Sequence, residues 1–262
     1  MYNFRSLVIN VLVDANITYV TGDAMTATAS VGMDFEQARF NMIEQQIRPW
    51  EVLDTDVLKL FAVLKREDFV PAEYKELAFA DLELPIIESA TSGKPSNPSN
   101  PSQTMLSPKI EARLLQEAGV KKTDTVLEVG TGTGFMAALL ASQADYVYSV
   151  EIDPLLAEQA KAALEQAGMA NVSVEVGDAA HGWAAHAPYN VIVISGSLPV
   201  LPDAFLQQLK VGGRLVAIIG EEPVMEAKLI IRTDETSFNS INLFETAAAP
   251  LLNAAQGKQF VF

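Results

Sequence analysis

The chain has 262 residues, 49% hydrophobic and 19% charged: enough apolar material for a full-sized core and too orderly a composition for a disordered chain. Its 33 acidic residues against 18 basic ones leave a formal net charge of −15, a field that repels phosphate backbones and argues against a broad nucleic-acid-binding surface. The absence of cysteine excludes disulfides, thiolate metal sites, iron–sulfur clusters and cysteine nucleophiles. With only His181 and His186 as histidines, metal-free chemistry is expected.

In chain order, Leu7–Val13 is an apolar run behind Arg5, interrupted by Asn10 and closed by Asp14. A weak secretory signal has this outline, but a membrane-spanning helix needs about 20 apolar residues. Residues 1–32 are read as an extension ahead of a start at Met33, and a cytoplasmic protein with no membrane partner is expected. From Asp34, the residues Phe35, Met42, Ile43 and Ile47 recur at helical spacing until Arg48-Pro49. Val57, Leu58, Phe61 and Leu64 form a second amphipathic stripe. With Phe69-Val70-Pro71 these predict a small helical cap over residues 33–90.

Residues 91–103 read TSGKPSNPSNPSQ, with Asn-Pro-Ser in tandem. Proline at that density forbids helix and central strand, which leaves a loop, either a flexible connector or a mobile flap. After Ser107-Pro108, Ile110, Leu114 and Leu115 mark a helix. Residues 104–262 then form the main domain, in which strands expected at 125–129, 146–150, 172–176, 191–194 and 214–219 alternate with helices at 135–142, 154–167 and 202–209. Two further segments, 228–232 and 237–244, are expected to add antiparallel strands at one side. Such alternation, with continuous apolar strands, predicts an α/β fold: a mostly parallel, twisted, Rossmann-like sheet with helices on both faces.

The segment Val126-Leu-Glu-Val-Gly130-Thr131-Gly132-Thr-Gly134 puts a Gly-x-Gly-x-Gly turn between the first sheet strand and a helix. In open α/β sheets ligands bind at the carboxyl ends of the strands, and glycine lets the backbone pass close to them. Dinucleotide enzymes need Gly-x-Gly-x-x-Gly, so that a pyrophosphate can sit on the helix N-terminus. Here the third glycine comes one residue early. Glu128, beside the turn, suits the cationic amino-acid end of S-adenosylmethionine rather than a pyrophosphate. Glu151, followed by Ile152, ends the second strand, where a carboxylate can accept hydrogen bonds from both ribose hydroxyls. Gly177-Asp178-Ala179 follows the third strand, where the adenine edge would be read.

At these residues the chain is similar to the protein-L-isoaspartate O-methyltransferase family, over about Asp34 to Glu221. Shared elements are Met42-Ile-Glu-Gln-Gln-Ile47, Asp68-Phe-Val-Pro71, Ala80-Asp81 with Leu84-Pro85, Gln103-Thr104 with Pro108, the glycine turn itself, and Val147-Tyr-Ser-Val-Glu151. Val176-Gly-Asp178 with Gly182-Trp183, and Gln208-Leu-Lys-Val-Gly-Gly-Arg-Leu215, complete the match. The resemblance implies a class I methyltransferase fold, S-adenosylmethionine as cofactor, and isoaspartyl residues of damaged proteins or peptides as the substrate whose carboxylate is methylated for repair. It also implies a methyl-transfer channel lined by Thr104.

The family pattern is Gln-Thr-Ile-Ser-x-Pro, with the serine at the active site. This chain reads Gln103-Thr104-Met105-Leu106-Ser107-Pro108, so Leu106 holds the serine position and Ser107 comes one residue later. One residue in an extended segment turns a side chain to the opposite side. Ser107 is therefore a candidate for the channel and equally a cap for the following helix. Ser195-Gly-Ser197 also departs from the family's Thr-Ala-Ala-like turn. Two other readings stay open beside the isoaspartyl one: a related methyltransferase acting on another carboxylate, a hydroxyl or a small molecule, and a cofactor-binding protein without turnover. The oligomeric state is open.

Overall fold

The computed structural model describes residues 33–86 and 103–257, which belong to one compact unit beginning at Met33. The expected extension over 1–32, and all of the 91–103 loop except Gln103, lie outside the described residues. Helix α1 (Phe35–Met42) starts at Asp34, whose carboxylate accepts from the amides of Glu36 and Gln37, both at 3.1 Å; such caps satisfy amides that have no partner inside the helix. The chain continues through a wider turn (Ile43–Ile47) and a tighter one (Arg48–Trp50), ending at Glu51 in a left-handed conformation. Helix α2 (Thr55–Val63) is capped in the same way by Asp54.

A short ribbon follows. Strand β1 (Leu84–Pro85) pairs antiparallel with β2 (Thr104–Met105), Pro85 facing Thr104. Periodicity could not reveal two-residue strands, yet this ribbon fixes where Thr104 stands. Helix α3 (Pro108–Ala118) leads into the sheet. Its elements are β3 (Thr125–Val129), α4 (Phe135–Ala141), β4 (Tyr146–Glu151), α5 (Pro154–Gln166), β5 (Val172–Val176), β6 (Tyr189–Leu198), α6 (Asp203–Gln207), β7 (Leu209–Glu221), β8 (Val224–Arg232) and β9 (Phe238–Thr246).

The sheet runs β5-β4-β3-β6-β7-β8-β9. The first five strands in that order are parallel, and β8 and β9 add an antiparallel meander. Alternate residues serve alternate faces. Val126, Val191, Val193 and Val216 pack against the large helical layer that includes residues of α1 to α5. Leu127, Val129, Ile192 and Ile194 face the other way, with Phe205 of the short α6. Helices thus occupy both faces, though unevenly, and the helices expected as a cap share the main core. No described helix is long and apolar enough to cross a membrane.

One irregularity matters for function. Between β6 and β7, Val193 faces Val216 but Ser197 faces Ile218, so β6 carries extra residues there. That bulge takes Ser195 and Gly196 out of the regular ladder and into the space beyond β3.

Candidate functional site

Gly130 and Gly132 both adopt positive φ, 89° and 52°, as a turn leaving a strand end requires. A Cβ at Gly130 would stand 3.3 Å from Leu251 Cδ2, and one at Gly132 would stand 3.3 Å from Ile86 Cδ1. Both glycines line a cavity of about 640 Å³ at the carboxyl ends of β3, β4 and β5. Gly134 does not line it. At φ 87° it caps α4, where a Cβ would stand 3.3 Å from Ala160 Cβ. The third glycine therefore serves the packing of α4 on α5.

Three carboxylates end three successive strands. Glu151 accepts from the amides of Gly132 at 2.8 Å and Asp153 at 3.1 Å, and burial holds its carboxyl above the usual range. With Ile152, Gly177, Asp178 and Ala179 it lines the first cavity. Asp178 accepts from the Ala180 amide at 3.0 Å and from Asn253 Nδ2 at 2.8 Å. Glu128 is fully buried; it accepts from Ser149 Oγ at 2.5 Å and Ser195 Oγ at 2.8 Å, and burial pushes its carboxyl up to about 8. Thr131 Oγ1 lies 2.5 Å from Ser149 Oγ and extends this hydroxyl chain.

Glu128 and Thr131 line a second cavity of about 300 Å³, which shares Thr104, Gly130, Gly132 and Ser195 with the first. Thr104 therefore stands at the junction, its hydroxyl donating to Glu83 at 2.7 Å. Ser107 is buried at the start of α3, where its side chain makes no capping hydrogen bond, and it lines neither cavity. Its neighbours Met105 and Leu106 both line the second cavity. The structure thus brings Thr104 to the junction and Leu106 to the second cavity, and Ser107 to neither.

The sequence reading missed one wall. Ala249, Pro250, Leu251 and Leu252 form a further wall of the first cavity, with Leu251 packed beside Gly130. Ser197 holds this strap: its amide donates to the Ala249 carbonyl and its carbonyl accepts from the Leu251 amide, both at 2.9 Å, while its hydroxyl donates to the Ala248 carbonyl at 2.8 Å. Gln103 also lines the first cavity, with Oε1 buried and without a hydrogen-bond partner among the described residues. Of the histidines, His181 is exposed, while His186 pairs with Glu175 at 2.6 Å and stacks on Tyr148. Trp183 donates to Glu175 at 2.8 Å and packs behind Gly177 as a supporting wall.

Neither cavity has a lysine, arginine or histidine among its described lining residues. An acid-lined space without a cation is a poor host for a pyrophosphate and a good one for a ligand that carries ribose hydroxyls and positive charge. The family model for protein-L-isoaspartate(D-aspartate) O-methyltransferase (PCMT) matches residues 37–256. The chain belongs to this methyltransferase family. A PCMT relative from Koribacter versatilis, a protein-L-isoaspartate O-methyltransferase, is 37% identical over 218 residues, 83% of this chain and 92% of the relative. Another, from Protochlamydia amoebophila, is 37% identical over 80% of this chain and 95% of the relative. A solved protein-L-isoaspartate O-methyltransferase superposes with a TM-score of 0.65 at 26% identity, covering 84% of this chain and 66% of that one. A Plasmodium falciparum structure holding S-adenosyl-L-homocysteine shares the fold, with a TM-score of 0.62 at 16% identity over 83% of this chain.

Proposed function

We propose that the chain transfers a methyl group from S-adenosylmethionine to the free carboxylate of isoaspartyl residues in damaged proteins. The observation that carries this is the pair of joined, acid-lined cavities at the strand ends of a PCMT-family chain. Gly177, Asp178 and Ala179 would hold the adenine end, Glu151 the ribose, and Glu128 with Thr131 the amino-acid end. When bound, the cofactor supplies an electrophilic methyl group on a sulfonium.

The residues present suit that chemistry. A peptide carboxylate with a pKa near ~4 is already ionised at neutral pH, so the chain need supply no general base. Its task is to align the carboxylate oxygen and keep water away, which can lower a barrier by on the order of 7–11 kcal/mol. Thr104, held by Glu83 at the junction of the cavities, is the residue we assign to the methyl-transfer channel. A cytoplasmic location belongs to the same proposal, and fractionation of expressing cells tests it.

Leu106 favours one alternative, a different methyl acceptor, because it lays an apolar side chain on the second cavity where the family pattern has a serine. The deciding assay is transfer of label from S-adenosylmethionine to an isoaspartyl peptide, with the aspartyl peptide as control and Leu106→Ser alongside. Transfer to the isoaspartyl peptide alone is expected. Activity appearing only in Leu106→Ser would assign the native chain another acceptor, and silence from both despite cofactor binding would reject the isoaspartyl reading.

A further inference from the structure

Glu111 also lines the second cavity, from the first turn of α3, and is 3% exposed. Its Oε2 accepts from Arg66 Nη1, and among the described residues its Oε1 has no hydrogen-bond donor. Arg66 is 1% exposed and fully engaged: Nε donates to the Ala78 carbonyl at 2.9 Å and Nη2 to the Leu106 carbonyl at 2.7 Å. The guanidinium therefore holds Glu111 from one side and leaves the other oxygen to the cavity. Glu128, on the same cavity wall, is held among the described residues only by two neutral hydroxyls.

The described wall thus carries two carboxylates, one of them backed by a guanidinium that does not itself line the cavity. Much of the rest is apolar, with Leu106, Phe135 and Met136. A buried carboxylate without a positive partner is costly until a proton or a cation neutralises it. The amino-acid end of S-adenosylmethionine carries such a cation, and the cavity joins the nucleoside cavity through Thr104, Gly130, Gly132 and Ser195.

We propose that Glu111 is a cofactor-contacting residue which, with Glu128, grips the ammonium group of S-adenosylmethionine, and that Arg66 is the positioning residue that fixes it. The inference rests on the methyltransferase reading of the cavities. Calorimetric binding of S-adenosylhomocysteine and of 5′-methylthioadenosine, which lacks the amino-acid end, tests it in the native chain and in Glu111→Gln. The glutamine keeps an acceptor for Arg66 and removes the charge. S-adenosylhomocysteine affinity should fall roughly tenfold or more, while methylthioadenosine stays within about twofold. Unchanged binding of both ligands, or equal loss of both, would overturn the assignment. If Glu111→Gln does not fold, Glu111→Asp, which retracts the charge by one methylene, must show the same selective loss. Failure of the native chain to bind either ligand would reject the cofactor reading itself, and Glu111 with it, so the two failures are distinct.

Discussion

Glu128 is held well away from its unfolded behaviour. Burial raises its carboxyl from 4.5 to about 8, and that of Glu111 to about 7 even beside Arg66; Glu151 shifts in the same direction. Between those values and 4.5 the folded chain keeps protons that the unfolded chain has lost. Stability therefore falls as pH rises through that window. The thermal midpoint of the ligand-free chain is expected to decline from about pH 5 to about pH 8, with Glu128→Gln flattening the decline. A cation in the second cavity favours the ionised acids, so S-adenosylhomocysteine should raise the midpoint more at about pH 8 than at about pH 6. An opposite trend would place the ligand's charge elsewhere. Gly177 is a second sensitive point. A Cβ there would lie 2.5 Å from Trp183 Cη2, and the indole is tied to Glu175 while the Trp183 amide donates to Gln208 at 2.9 Å. Gly177→Ala should cost about 1–3 kcal/mol in denaturant unfolding and weaken cofactor binding as the wall formed with Trp183 shifts.

At the scale of elements, the site is divided between parts that announce themselves and parts that do not. The glycine turn and the acids at the ends of β3, β4 and β5 are legible because each sits at a fixed place relative to an apolar strand. The β6 bulge is not, since Ser195-Gly196-Ser197 reads as the end of a strand that in fact runs on to Leu198. The strap was equally silent: residues 249–252 carry no periodic pattern, and their meaning lies in contacts with residues more than fifty positions earlier. Leu251 packs where Gly130 and Gly196 leave room, and a Cβ on Gly196 would come within 2.8 Å of it. Leu251→Ala should open that wall and weaken S-adenosylhomocysteine by several-fold, at an unfolding cost below that of a fully buried leucine, about 2–5 kcal/mol. Undiminished affinity in calorimetry would show the wall to be incidental. Leu106 and Ser107 show a third kind of legibility: the departure from the family pattern was visible, but only the backbone direction reveals which of the two faces the cavity.

For the whole molecule, the net charge of −15 meets a substrate that is itself anionic at the reacting group. Like-charge repulsion slows encounter and is screened by salt. With acidic isoaspartyl peptides, kcat/KM should rise as ionic strength increases from about 20 to about 200 mM, whereas peptides flanked by lysine should lose rate over the same range. Equal responses from both peptide classes would mean that the field of the molecule plays no part in recognition. The parallel strands and the two-faced core were readable at this scale because continuous apolar runs have few other uses.

The strap also sets an order of events. Every residue of the glycine turn and the three strand-end acids precedes β9, but one wall of the first cavity is supplied by Ala249–Leu252. A chain still being translated can assemble its sheet in sequence, yet the first cavity lacks this wall until the segment beyond β9 has left the ribosome tunnel and paired with Ser197. This wall is therefore added after the sheet, and a chain clipped after Thr246 is expected to keep the sheet while binding S-adenosylhomocysteine more weakly in calorimetry.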